Sequence, residues 1–207
     1  MNITESITQT VYDQIANALV EDGYIILKNY LPTELTQQLY QHVSTLPEQE
    51  FKPAAIGRNN DRQLNQEIRS DQTRWLSDET PCEQTYLTVM DECRRQLNQN
   101  LFLGLHDYEA HFSHYAAGSY YQRHIDVFKG KSSRAVTTVF YLNPEWEQTD
   151  GGELIIYHPD SEDILCRVSP EFGTMVIFLS ECFPHEVLAA TRDRYSIAGW
   201  FRVDSQP

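Results

Sequence analysis

The chain has 207 residues, 41% of them hydrophobic and 12% aromatic, which suits one domain with a substantial core. Thirty Asp and Glu against 16 Lys and Arg leave a formal net charge of −14. An acidic surface repels phosphate groups, so nucleic acid and anionic membranes are excluded as partners, whereas a protein or peptide is accommodated.

The first residues, Met1-Asn2-Ile3-Thr4-Glu5-Ser6, carry neither a basic nor an apolar leader, and no apolar run is long enough to span a bilayer. The four cysteines, Cys82, Cys93, Cys166 and Cys182, include no C-x-x-C pair, so a zinc knuckle is not indicated. The expectation is a soluble, cytoplasmic monomer with reduced thiols. Ile7, Val11, Ile15 and Leu19 recur at helical spacing, and Gly23 stops the run. Tyr24–Leu27 reads as a short strand. Pro32 suits a first helical residue, and Leu35, Leu39, Val43 and Leu46 form a second apolar stripe that Pro47 ends. Phe51–Asp61 reads as a loop and Gln63–Arg69 as a strand. Ser70–Pro81 is polar apart from Trp75 and Leu76 and reads as a flexible projecting loop. Leu87, Met90, Leu97 and Leu101 mark a third helix over Cys82–Leu101.

From Leu105 the pattern changes to short strands separated by turn residues. The strands are expected at Tyr108–Tyr115, Tyr120–Ile125, Ala135–Leu142, Glu153–Tyr157, Ile164–Val168, Thr174–Phe178, Glu186–Ala189 and Tyr195–Val203. This number of short strands predicts a barrel or jelly roll. The whole chain, 1–207, reads as a single domain. Residues 1–104 would be helical and strand support, including the loop 70–81, and residues 105–204 the β core.

One run carries chemistry. In Tyr120-Tyr121-Gln122-Arg123-His124-Ile125-Asp126, a strand would project His124 and Asp126 from one face. With His185, in Phe183-Pro184-His185-Glu186-Val187, they make two imidazoles and a carboxylate, the facial triad of non-haem iron(II) oxygenases. Zinc with three protein ligands is the other metal such a set suits. Alone, a His-x-Asp pair is a weak signal in a chain with seven His and 30 Asp and Glu. Arg194 strengthens it, because it opens a core strand nine positions after His185. A buried, fork-shaped guanidinium calls for a carboxylate, and no Asp or Glu of the chain is assigned to it. A small cosubstrate carrying a carboxylate fills that role.

These residues and their surroundings resemble the iron- and 2-oxoglutarate-dependent dioxygenases. Within them they resemble the prolyl 4-hydroxylase branch, above all the oxygen-sensing prolyl hydroxylases and their bacterial relatives. The resemblance rests on Ile68-Arg69-Ser70-Asp71 with Trp75, Tyr115-Ala116-Ala117-Gly118, Tyr121 to Asp126, Arg134 to Asn143 with Trp146, Gly151-Gly152-Glu153-Leu154, and Pro184 to Val187 through Trp200. It runs from about Ile68 to the C-terminus.

The resemblance implies a double-stranded β-helix with the N-terminal helices packed on one sheet. It implies Fe(II) on His124, Asp126 and His185. Arg194 and Tyr141 would hold the distal carboxylate of 2-oxoglutarate, with Tyr115 also touching it. Thr137, Val139, Leu154, Val187 and Trp200 would line the pocket. It further implies O2 as cosubstrate, ascorbate as reductant, and a protein or peptide substrate met by Arg69, Asp71, Trp75, Arg134 and Tyr121. The implied reaction is hydroxylation of a prolyl residue at the 4-position, with 2-oxoglutarate converted to succinate and CO2. Hydroxylation of a free amino acid or another small molecule, and a non-catalytic module sensing 2-oxoglutarate or metal, are the alternatives. The chain departs from the family at Ala198, where a threonine is usual, and at Gln72-Thr73-Arg74 in the loop. His111 and His114 are further histidines near the site in sequence, with His111 expected on the face opposite Phe112 and His114.

Overall fold

The computed structural model describes residues 7–54, 68–126 and 133–203. Three helices come first, interleaved with short strands. α1 (Gln9–Glu21) buries Tyr12, Ile15, Ala16 and Leu19, so its apolar stripe is turned from the expected one towards Tyr12 and Ala16. It ends before Gly23, whose φ of +79° favours glycine and whose Cβ would stand 2.9 Å from the Phe183 ring. α2 (Thr33–Thr45) buries Leu35, Leu39 and Val43, with Pro32 as its cap rather than its first residue. α3 (Pro81–Leu101) starts on Pro81, where a missing N–H costs nothing. Among the described residues, no helix is long and apolar enough to cross a membrane.

The strands are β1 (Tyr24–Leu27), β2 (Lys52–Pro53), β3 (Gln72–Trp75), β4 (Leu105–Tyr115), β5 (Tyr121–His124), β6 (Arg134–Tyr141), β7 (Leu154–Tyr157), β8 (Ile164–Val168), β9 (Met175–Leu179), β10 (His185–Val187) and β11 (Arg194–Val203). All eight strands expected after Leu105 are present. They form a seven-stranded sheet, β1-β9-β6-β11-β4-β3-β2, and a four-stranded sheet, β5-β10-β7-β8. Every pairing is antiparallel. This is the expected jelly roll, a double-stranded β-helix enlarged by three N-terminal strands on the larger sheet.

Alternation along the strands makes two cores. Phe112, Phe140, Ile177, Ile197 and Phe201 face the helices and pack with Ile15, Leu39, Tyr86 and Met90. Tyr115, Tyr141, Val176 and Phe178 face the smaller sheet and meet Leu154, Ile156 and Val187. β11 lies between β4 and β6, so both of its edges are paired and its inward residues stand at the centre of the roll.

The segment expected as a projecting loop differs. Gln72–Trp75 forms β3, paired with β4 on one side and β2 on the other. Its polarity is internal. Asp71 is buried against Arg69, and Arg74 donates to Glu83, a fully buried carboxylate that also accepts from Ser77 N–H and Thr80 and meets His42. Polar residues that satisfy one another in this way do not read as buried from sequence. Residues 55–67 lie outside the described residues, and with them most of the expected Phe51–Asp61 loop and Gln63–Arg69 strand.

Candidate active site

His124 ends β5, the edge strand of the smaller sheet, directly opposite His185 on β10. The two imidazoles stand 4.3 Å apart between ring centres. Asp126 lies just past the end of β5 and not on it, yet its Oδ1 is 3.7 Å from His124 Nε2 and 3.9 Å from His185 Nε2. One donor atom from each of the three falls within 4.8 Å of the others, and no other such cluster occurs among the described residues.

The protonation pattern follows from the neighbours. His124 Nδ1 is 2.8 Å from the Gln122 carbonyl oxygen, and His185 Nδ1 is 3.0 Å from that of Phe183. A carbonyl only accepts, so each Nδ1 carries a proton, and in the neutral ring Nε2 keeps its lone pair for a ligand. Burial holds His124 well below the usual histidine range, helped by the nearby His185. Burial alone would raise Asp126, but charge on His185 or His124, where either is protonated, and hydrogen bonds from Trp200 and Thr137 lower it more. Those bonds are specific: Thr137 Oγ1 donates to Asp126 Oδ2 at 2.7 Å and Trp200 Nε1 at 3.0 Å. Ser180 stands 2.8 Å behind the Thr137 hydroxyl. Oδ2 is thereby held, and Oδ1 is left for a cation. Two neutral imidazoles and a carboxylate suit iron(II).

The second half of the site is Arg194, 1% exposed at the start of β11. Its Nε donates to the Gly152 carbonyl at 2.9 Å, and its two terminal nitrogens have no hydrogen-bond partner among the described residues. Gly152 has φ +71°, and a Cβ there would lie 2.9 Å from Ala190 Cβ and 3.2 Å from Arg194 Cδ, so glycine is what lets the arginine pass. The guanidinium lies 5.0 Å from the ring centres of both Tyr115 and Tyr141. The Tyr141 hydroxyl is also buried without a hydrogen-bond partner among the described residues. Burial pushes that phenol up to about 12, with Arg194 pulling the other way, so it stays a donor. Unpartnered buried N–H and O–H groups are costly, and a carboxylate oxygen pair beside them satisfies all three atoms at once. The residues present therefore fit a dicarboxylate cosubstrate as well as a metal.

The remaining predicted residues surround these. Leu154 and Val187 are buried in the inter-sheet core, with Val139 packed against it. Thr137 and Trp200 were expected as walls; their hydrogen bonds to Asp126 are what the sequence reading missed. The available signal was parity, since Trp200 and Arg194 share one face of β11, and Thr137 and Tyr141 one face of β6. Ala198 has the same parity as Arg194, across from Val139 and His111, and offers no hydroxyl.

Arg69 and Asp71 form a two-pronged ion pair, 2.6 and 2.9 Å, with Asp71 2% exposed. Arg69 lies over the Tyr121 ring at 4.6 Å, and Tyr121 stacks on His124 at 3.5 Å. Arg134 lies 3.5 Å over Trp200 and pairs with Glu109, which also takes Arg202. Trp75 is 52% exposed and meets His111 edge-on at 5.2 Å. His111 is buried on the site side, whereas His114 stacks on Tyr195, as the strand register predicts; neither belongs to the metal cluster.

Comparison with known proteins agrees with this geometry. Residues 110–202 match the 2OG-Fe(II) oxygenase superfamily. The crystal structure of a Pseudomonas putida prolyl-4-hydroxylase is 36% identical, covers 93% of this chain and 99% of that one, and superposes with a TM-score of 0.84. A prolyl hydroxylase from Trichoplax adhaerens, in complex with a hypoxia-inducible factor oxygen degradation domain peptide, is 28% identical, covers 94% and 90% of the two chains, and gives a TM-score of 0.84. Human Egl nine homolog 1 is 27% identical over 205 residues, which is 91% of this chain and 46% of that protein. The chain spans about half the length of the human and mouse Egl nine homologs. With 36% identity across nearly all of both chains to the Pseudomonas enzyme, this chain belongs to the 2OG-Fe(II) oxygenase superfamily and is a homologue of its prolyl hydroxylases.

Proposed function

We propose that this chain is a dioxygenase that hydroxylates a prolyl residue, at the 4-position, in a protein or peptide. The observation that carries the reading is the pairing of two sets of groups on the inner faces of one roll. A His-Asp-His cluster lies in the same roll as a buried arginine whose two terminal nitrogens have no hydrogen-bond partner among the described residues. The superfamily uses iron(II), 2-oxoglutarate and O2. His124, Asp126 and His185 would hold the metal, and Arg194 with Tyr141 the distal carboxylate of 2-oxoglutarate, with Tyr115 against it. Thr137, Val139, Leu154, Val187 and Trp200 would enclose it. Residues 1–104 serve as support and 105–204 as the catalytic core of one domain.

When bound, iron(II) with 2-oxoglutarate and O2 supplies an oxidant able to insert oxygen into a C–H bond, leaving succinate and CO2. The protein's own part is placement and exclusion of water. The carbonyls of Gln122 and Phe183 fix the imidazole tautomers, Thr137 and Trp200 aim the carboxylate, and Arg194 sets the orientation of the cosubstrate. The substrate would lie across the mouth between Trp75, Tyr121 and Arg134, with the Arg69–Asp71 pair as its floor. The exposed indole of Trp75 supports a macromolecular substrate, since aromatic anchors of this kind dominate interfaces. The peptide seen on the Trichoplax relative supports it too. We place the enzyme in the cytoplasm as a monomer, with ascorbate as its reductant and no nucleic-acid partner. The four free thiols support a reducing compartment.

The test is mass spectrometry of prolyl peptides, free proline and other free amino acids incubated with enzyme, iron(II) and 2-oxoglutarate. The expected result is one oxygen gained on a prolyl residue of a peptide. Gain on a free amino acid alone would replace the substrate class, and 2-oxoglutarate binding with no turnover on any of them would favour a sensor.

A further inference from the structure

We propose that Arg69, clamped by Asp71, is a positioning residue for His124 and acts through the ring of Tyr121. The inference rests on the reading of His124 as a metal ligand, and it gives Arg69 a task distinct from touching substrate.

β5 is a poor platform for a ligand. It has four residues, sits at the edge of the smaller sheet, and the chain leaves it at His124. In a regular strand Tyr121 and His124, three apart, would point to opposite faces. Here the pairing slips: His185 faces His124 while Val187, two residues on, faces Tyr121, three residues back. The bulge puts an extra residue into β5 and turns Tyr121 to the face of the site. The result is a ring stack of 3.5 Å between centroids and 14° between planes.

A hydrogen bond from Nδ1 to Gln122 O pins the imidazole at one atom. The stack fixes the plane of the ring as well, provided that Tyr121 is itself held. Arg69 holds it. Its guanidinium lies 4.6 Å from the Tyr121 centroid, a cation over a π face. Backbone bonds lace the same segment to the outer edge of β5: Ser70 N–H to Tyr120 O at 3.1 Å, and Gln122 N–H to Ile68 O at 2.9 Å. Asp71 takes Arg69 with both oxygens and is itself buried, so the guanidinium is fixed in place and in charge. Burial would lower the Arg69 pKa, but Asp71 raises it further, so the cation persists at every working pH. The series Asp71, Arg69, Tyr121, His124 thus runs from a buried ion pair to a donor atom of the cluster. Partners that orient a ligand in this way typically change metal affinity by about 10- to 100-fold.

The experiment is a cobalt(II) titration of the full chain, without 2-oxoglutarate or substrate, followed by the visible absorption of the bound ion. Arg69→Met and Tyr121→Leu are expected to weaken cobalt binding at least about 10-fold and to shift the bands. Tyr121→Phe keeps the ring and is expected to bind as wild type. Arg69→Met leaves Asp71 buried and unpaired, so where it misfolds the double variant Arg69→Met/Asp71→Leu removes both charges and asks the same question. Wild-type affinity and bands in the folded arginine variant, while His124→Ala loses cobalt, would overturn the inference and leave the ligand assignment intact. Cobalt held equally by His124→Ala would overturn the ligand assignment itself.

Discussion

Replacing Arg194 by Met separates the cosubstrate role proposed for this arginine from its part in the fold. Met has similar length, so the space is kept without the charge. In the structure Arg194 is 1% exposed, and among the described residues only its Nε has a hydrogen-bond partner. Its two terminal nitrogens and the Tyr141 hydroxyl cost desolvation with no return until a carboxylate arrives. The substitution therefore removes two orphaned donors as well as one hydrogen bond, and the cosubstrate-free protein should lose little stability. Binding should suffer far more. Breaking one side of a desolvated, hydrogen-bonded charge pair costs about 2–5 kcal/mol, or about 30-fold to several thousand-fold in affinity. Ligand linkage makes this visible without turnover. 2-Oxoglutarate at about 100 times its dissociation constant should stabilise the wild type by about 2.7 kcal/mol, and the variant by less than about 1 kcal/mol at that concentration. Denaturant unfolding with and without 2-oxoglutarate, with manganese(II) in the metal site, measures both. Equal stabilisation of the two proteins would mean that Arg194 is a structural arginine and that the cosubstrate lies elsewhere.

Further predictions follow from single contacts. Trp200→Phe keeps the wall but loses the hydrogen bond to Asp126 Oδ2, and metal affinity by calorimetry should fall about 10-fold or more; no change would reduce Trp200 to packing. Gly199→Ala puts a Cβ about where the Tyr108 hydroxyl stands, 2.1 Å away, while Tyr108 is held by Tyr86 and Thr138. A loss of about 1–3 kcal/mol on urea unfolding is expected, and a neutral result would show the strand yielding freely. Burial, with Arg69 adding to it, lowers the His111 pKa from 6.5 to about 3. Between those values the unfolded chain takes up a proton that the folded chain refuses, so stability falls as pH drops through that window, by up to about 5 kcal/mol from this residue. His111→Gln should flatten that part of the pH profile, and an unchanged slope would count against a buried neutral imidazole. Trp75→Ala should raise the KM for a peptide substrate and leave its kcat nearly intact; an equal fall in kcat alone would move Trp75 from anchor to support.

The elements that strand and helix periodicity reports were legible. Every strand after Leu105 lies within a few residues of its expected place, because turn residues bound each short run, most of them rich in apolar or aromatic side chains. The cluster was legible as types in order, His124, Asp126 and His185. The reason for its convergence was partly different. The sequence suggests one strand carrying both His124 and Asp126, whereas β5 stops at His124 and Asp126 is held from across the roll by Thr137 and Trp200. Long-range hydrogen bonds of this kind have no local signature. The bulge that turns Tyr121 onto His124 depends on pairing with β10, so alternation within β5 alone puts that ring on the wrong face. β3 was hidden for another reason. Its one charge, Arg74, satisfies Glu83, the Arg69–Asp71 pair directly precedes it, and a polar run in sequence looks the same whether water or protein solvates it.

The most direct measurement is the yield of oxidised prolyl peptide under 18O2, with succinate counted in the same reaction, for the wild type and for Asp126→Ala. Thr137 and Trp200 hold one oxygen of Asp126 and leave the other beside the two Nε2 atoms, so two hydrogen bonds from the larger sheet fix the carboxylate. The account predicts one labelled oxygen on proline per succinate in the wild type, dependent on iron(II), and neither product from Asp126→Ala even though it folds. Labelled hydroxyproline formed at the wild-type rate by Asp126→Ala would contradict the metal centre proposed here.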